Sequence, residues 1–396
     1  MAVQDGIESS QKASSFIYDP KVRSLFSQAV LIAVLIWLGY SVVQNTIANL
    51  ERQNIASGFG FLDTTAGFAV GQSLIAYSEA SSYGRTFVVG LLNTLLVSVI
   101  GIAIATVLGF IFGIARLSNN WVISKIAYVY VEVMRNLPLL LQIFFWYFAV
   151  LRSVPGPRES ITVFDSIFIN NRGLKLPKPL YEPGAGLVGI SILVAIAAVW
   201  LLRRWARKRQ MATGEQFPVF QWAVAILFGL PLVVFYLTGS PVSFEYPELR
   251  GFNFQGGLTI IPEFVALLLA LSVYTGAFIA EIVRAGILAV SRGQTEASYA
   301  LGLRPGPTLR LVVIPQALRV IIPPLTSQYL NLTKNSSLAV AIAYPDLVSV
   351  FAGTTLNQTG QAVEILGMTL AVYLTLSLLT SALMNWYNRR VALVER

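Results

Sequence analysis

Residues Glu281–Lys334 read EIVRAGILAVSRGQTEASYALGLRPGPTLRLVVIPQALRVIIPPLTSQYLNLTK, with an apolar segment before this stretch and another after it. Arg284, Arg292, Arg304, Arg310 and Arg319 place the stretch on the inner side of a membrane, because short loops rich in Lys and Arg are retained there. Glu296–Leu301 fits a short helix, Gly302 offers a left-handed cap, and Pro305 and Pro307 stop any continuation. Such a helix either lies in the interface as an ordinary loop helix or docks into the groove of a partner.

The rest of the chain agrees with a membrane setting. Of its 396 residues, 55% are hydrophobic and only 12% charged, against about 25% charged in a typical soluble domain. The formal charge of +9 is carried mostly by Lys and Arg that flank apolar runs, as topology signals do, which argues against a nucleic-acid partner. With no Cys and no His, disulfides, thiolate chemistry and the usual zinc sites are excluded.

Taken in order, the chain divides as follows. Residues 1–24 form a polar inner tail, and 25–83 hold an N-terminal span (Leu25–Val43) with an outer loop. Residues 84–151 carry two spans. Thr86–Ala115 contains Gly109 and Gly113 at the spacing that lets helix backbones approach closely. Ile126–Leu151 is expected to kink at Pro138. Residues 152–257 begin with a polar outer loop, Arg152–Gly184, whose five basic residues run against the charge rule. Spans Ala185–Leu202 and Phe217–Leu237 follow, separated by Arg203-Arg204-Trp205-Ala206-Arg207-Lys208-Arg209, an inner-side cluster suited to anionic lipid headgroups. Residues 258–388 supply Thr259–Ile282, the inner loop, a broken span near Gln316–Tyr344, a cation-free outer stretch Pro345–Gln361, and Val363–Tyr387. Residues 389–396 form an inner tail. The expectation is an all-α polytopic membrane protein of about eight transmembrane helices with both termini inside.

Catalysis has few candidates. No lysine follows a glycine, so the Gly-Lys-Ser/Thr phosphate grip is missing, and without His or Cys the usual nucleophilic triads cannot form. Any ATP-driven work needs a motor on another chain.

The spacing Glu296-Ala297-Ser298, Gly302, then Val312-Val313-Ile314-Pro315 resembles the EAA loop (E-A-A, three residues, G, nine residues, I-x-L-P) of ABC-transporter permeases. Ser298, Val312 and Ile314 are small departures from it. VEVMRNLPLLLQIFFWYF (Val131–Phe148), TGAFIAEIVRAGI (Thr275–Ile287), GQTEASYALGL (Gly293–Leu303), IPQALRVIIPPL (Ile314–Leu325) and LTKNSSLAVAI (Leu332–Ile342) look like blocks of the permeases for polar amino acids. Asn335-Ser336 stands where Asp-Thr is common. The enlarged form, with an insertion at 152–257, is similar to the general L-amino-acid permeases of Gram-negative bacteria. The resemblance implies a type I ABC importer permease fold in a bacterial inner membrane. It also implies a coupling helix seated in an ATPase cleft through Glu296, Ala297, Ser298, Gly302, Ile314 and Pro315. The implied partners are a second, non-identical permease chain, an ATPase dimer that binds ATP and Mg, and a periplasmic amino-acid-binding protein. No cofactor is implied in this chain.

An amino-acid zwitterion needs both signs of charge near the midplane, where ionisable groups are costly and mark pathways. The pathway candidates are Arg135, Gln142, Tyr274, Thr275, Glu281, Lys334, Asn335, Ser336 and Ser337. Two pairs have a structural alternative: Glu132 with Arg135, and Glu281 with Arg284, are each three apart and can satisfy one another. Lys334 has no acidic neighbour. Asn335, Ser336 and Ser337 are good N-caps for a new half-helix, whose N–H groups would face a carboxylate. The alternative is that Lys334 pairs with an acid elsewhere and holds the bundle. From another class, an ion- or proton-coupled carrier would use Glu132, Glu281 and Lys334 for coupling.

Overall fold

A computed structural model describes residues 20–52 and 57–391. The expected terminal tails lie mostly outside those residues. Seven helices are long and apolar enough to cross a membrane, and a broken helix pair makes an eighth. The eight-span expectation therefore holds.

Helix α1 (Pro20–Arg52) carries an apolar span, Val22–Thr46, on which Leu25, Trp37 and Val43 are exposed. Helix α2 (Tyr83–Ala115) starts at Ser82, whose side chain accepts from Arg85 N. It packs along α7 (Pro262–Leu288), and this is the centre of the molecule. The contact depends on small residues. A side chain at Gly109 would collide with Ile279, and one at Gly113 would lie 2.7 Å from Ala280 O and 2.8 Å from Val283 Cβ. Val97, Ala105, Leu267, Leu271, Ile279 and Val283 fill the shared core.

The third span is two helices rather than one kinked helix. Helix α3 (Trp121–Asn136) and α4 (Leu139–Leu151) meet at a 108° bend. Pro138 removes a donor at the break, and Leu137 is extended (ψ 132°). Gln142 bridges the corner: Nε2 donates to Met134 O at 3.0 Å and Leu137 O at 3.1 Å.

The polar stretches of the insertion fold into short antiparallel strands. β1 (Ile161–Val163), β2 (Ile167–Asn170), β3 (Gly173–Leu176) and β8 (Leu258–Ile260) form one sheet in the order β1-β2-β3-β8. β4 (Lys178–Tyr181) pairs with β5 (Val242–Glu245), and β6 (Glu248–Arg250) with β7 (Asn253–Gln255). Lys175 is buried in this cap, and its Nζ donates to Thr259 Oγ1 at 2.8 Å. Burial, helped by the nearby Arg172 cation, holds its pKa below the usual lysine value. Helices α5 (Ala185–Thr213) and α6 (Val219–Leu237) rise from the cap and pack chiefly on each other.

After α7 and the short helix α8 (Arg292–Ala300), a long composite span α9 runs from Pro305 to Ile342. It packs on α7 and on the last helix, α11 (Ala362–Val391). Between α9 and α11, Pro345–Gln361 is a folded segment and not an open loop. A π-helical run, Val348–Thr355, continues into α10 (Leu356–Thr359) and buries Val350 and Phe351 against α2.

Candidate functional site

The inner loop forms the expected capped helix. Gly302 adopts φ +77°, its N–H bonds to Tyr299 O, and Leu303 N bonds to Ser298 O at 3.1 Å. That pair of bonds is a Schellman motif, and glycine suits its left-handed position. Ser298, in place of the second motif alanine, is buried, and its hydroxyl donates to Gln294 O at 2.7 Å. Glu296 and Ala297 are exposed, leaving one face of α8 free. Gln316 Nε2 donates to Gln294 Oε1 at 3.2 Å and ties α8 to the next helix, where Ile314 is exposed and Pro315 sits in the first turn.

Above this loop lies a cluster of four charges. Glu281 accepts from Arg284 on its own helix and from Arg116 at the end of α2. Arg116 also reaches Glu132 of α3 at 3.5 Å. The Glu281–Arg284 pair is as the spacing suggested. The Glu132–Arg135 pair is not formed. Arg135 turns away from Glu132 and lies over the Phe278 ring, 5.3 Å from its centroid, because Arg116 arrives from another helix to meet Glu132. Glu281 therefore braces the inner ends of α2 and α7. Gln142, also a pathway candidate, is occupied at the α3–α4 corner, and its Oε1 has no partner. Thr275 is buried in the α2–α7 core, and the Tyr274 ring lies tilted against Phe278 with centroids 5.0 Å apart.

Lys334 is exposed and makes no ion pair among the described residues. With Ser337, Thr369 and Tyr373 it lines a recess of about 380 Å³ that also has apolar walls. The expected half-helix starting at Asn335 is not there. The helix continues through Asn335 into a 3₁₀ turn, Ser336–Ile342. Ser336 Oγ donates back to Thr333 O at 2.7 Å, and Ser337 Oγ to Lys334 O at 2.8 Å. These hydroxyls bond carbonyls rather than capping N–H groups, so Lys334 stands at the carbonyl end of a helix, where a cation is favoured.

The next helix start lies further on. Ala343 turns the chain with φ +56°, and Asp346 Oδ1 accepts from Ser349 N at 2.8 Å. Asp346 is fully buried, and its other oxygen accepts from Tyr373 Oη at 3.4 Å. Asn93 Nδ2 donates to Pro345 O at 2.8 Å, and Thr94 Oγ1 accepts from Leu347 N at 3.1 Å, pinning the turn to α2. The sequence reading passed over Asp346. Its signal was the Pro-Asp dipeptide directly before an apolar run, a common helix start.

Residues 105–393, more than half of the chain, match the family described as binding-protein-dependent transport system inner membrane component. The chain belongs to that family. Membership of this transport family and the multi-span helical layout bear out the expected permease, a transport component and not an enzyme. Among curated proteins, the chain is 56% identical over 382 residues to the general L-amino acid transport system permease protein AapQ of Rhizobium johnstonii, covering 96% of this chain and 95% of AapQ. It is 53% identical over 388 residues to the putative amino-acid ABC transporter permease protein YhdX of Escherichia coli K12, covering 98% and 99%. Among solved structures, an amino acid ABC transporter crystallised with histidines aligns over 78% of this chain and 95% of that one, with a TM-score of 0.46 and 21% identity. Nothing in these comparisons favours the ion-coupled carrier.

Proposed function

We propose that this chain is a membrane subunit of an ATP-driven importer that moves L-amino acids from periplasm to cytoplasm. Its end-to-end likeness to AapQ, a general L-amino acid permease by name, carries the reading. Both termini face the cytoplasm. A periplasmic amino-acid-binding protein delivers substrate, and a second homologous but non-identical permease chain completes the conduit. A separate ATPase dimer, holding ATP and Mg, grips α8 through the exposed Glu296 and Ala297 and the Gly302 turn, with buried Ser298 holding the helix and Ile314 and Pro315 backing the contact.

The chemistry fits this division of labour. Both ends of α8 are tied, by the Gly302 cap and by the Gln294–Gln316 bond, which fixes how its exposed face is presented. Among the pathway candidates, we assign Lys334 to a substrate carboxylate: it makes no ion pair among the described residues, borders a recess, and has Ser337 beside it. Asn335 and Ser336 shape the turn that holds it. Glu281 and Gln142 serve the frame.

The test is uptake by the purified complex in liposomes with ATP enclosed on the ATPase side. Lys334→Ala is expected to lower uptake at least tenfold while the subunits still co-purify. Glu296→Lys with Gly302→Pro is expected to release the ATPase. Uptake by this chain alone, driven by an ion gradient, would overturn the reading.

A further inference from the structure

The inner-side cluster on α5 has two faces. Ala195, Val199 and Ala206 are buried against α6. At about 100° per residue, Leu201, Arg204, Trp205, Lys208 and Met211 fall on the roughly opposite face. All five are exposed and, with Arg207 and Ala212, line one open groove. The Arg204 guanidinium lies over the Trp200 ring, 3.8 Å from its centroid, and Trp205 stands edge-on to Phe217 with centroids 5.2 Å apart. Arg209, nearer the α6 side, is neutralised by Glu215 at 2.7 Å. Lys208 and Arg204 make no ion pair among the described residues.

We infer that this face of α5 is a binding site for one anionic phospholipid. The groove joins three cations, Arg204, Arg207 and Lys208, to an apolar floor at the end of a membrane span, which matches a molecule with a phosphate at one end and acyl chains at the other. Trp205 sits between the two, at the depth where indole rings prefer to lie. A zwitterionic lipid satisfies the apolar part only. The inference goes beyond the transport reading and stands on α5 alone.

Full-length protein in nanodiscs tests it. Chain-brominated phosphatidylglycerol is expected to quench the Trp205 share of the fluorescence, taken as the difference from Trp205→Phe, several-fold more than brominated phosphatidylcholine at equal mole fraction. This measurement uses the wild-type protein and a conservative variant, so it holds even where a charge variant inserts poorly. Arg204→Gln with Lys208→Gln is expected to weaken phosphatidylglycerol retention roughly 25-fold, about fivefold per cation. The charge-matched pair Arg203→Gln with Arg389→Gln, the second on the last helix, should change it less than about threefold. Equal quenching by both lipids, or equal loss in the two double variants, would overturn the site and leave only general surface attraction. Anionic lipid that is displaced when another protein subunit is present would assign the face to that subunit and overturn it as well.

Discussion

Arg116, at the end of α2, donates across the helix interface to Glu281 of α7, which already holds Arg284. One carboxylate thus serves two guanidiniums, and the two sides of the cluster are unequal. Glu281→Gln leaves two arginines facing each other with only Glu132 nearby. It is expected to cost about 2–3 kcal/mol, whereas Arg116→Gln leaves Glu281 with Arg284 and costs nearer 1 kcal/mol, both discounted for partial exposure. Thermal unfolding of the detergent-purified chain should rank them in that order; the reverse order would mean that Arg116, not Glu281, is the hub.

Gln142 holds the corner between α3 and α4 by two donated hydrogen bonds. Gln142→Leu keeps the bulk and removes both donors, leaving the Met134 and Leu137 carbonyls unserved at about 1–2 kcal/mol each. Amide exchange over residues 137–144 is expected to accelerate at least tenfold, with exchange in α11 unchanged.

The close approach of α2 to α7 rests on absent side chains. Gly109→Ala should collide with Ile279 and cost about 1–3 kcal/mol, as other overpacked cores do. Ile279→Ala opens a cavity alone, but combined with Gly109→Ala it should recover most of the loss. A double-mutant cycle with a coupling energy near zero would show that the two positions do not touch.

Lys175 gives a pH dependence. Its pKa is lowered in the folded protein, chiefly by burial, so the fold disfavours the charged amine. The penalty is fully present below the folded pKa. It fades as pH rises through that value towards the unfolded one. Lys175→Met is therefore expected to raise the melting temperature by roughly 1–3 °C at pH 7, with the gain shrinking towards pH 10.5. A gain that grows with pH would contradict the sign.

The spans and the capped inner-loop helix α8 were legible in the sequence because each rests on a local signal: apolar length for one, the Gly302 cap followed by prolines for the other. The cap strands were not. Ile161–Val163 and Ile167–Asn170 are three and four residues long, too short to show alternation, and β3, which extends their sheet, finds its other partner β8 only beyond two spans. Charge pairing was legible only within a helix turn. Glu281–Arg284 was found, while Glu132 went to Arg116 because tertiary packing brought a cation that spacing cannot show. The run Asn335-Ser336-Ser337 was misread since the same side chains serve either end of a helix, and only the backbone direction decides whether they meet N–H or carbonyl groups.

Strand β8 ends at Ile260, and one residue later Pro262 begins α7, whose far end delivers the chain to α8. From Pro262 to Leu288 there are 27 residues, about 40 Å of uninterrupted rod, with no second proline to absorb a twist. If α8 is the docking point proposed above, a tilt imposed on the β3–β8 ladder would reach the far end of α7 as a displacement of α8, because one unbroken helix joins the two.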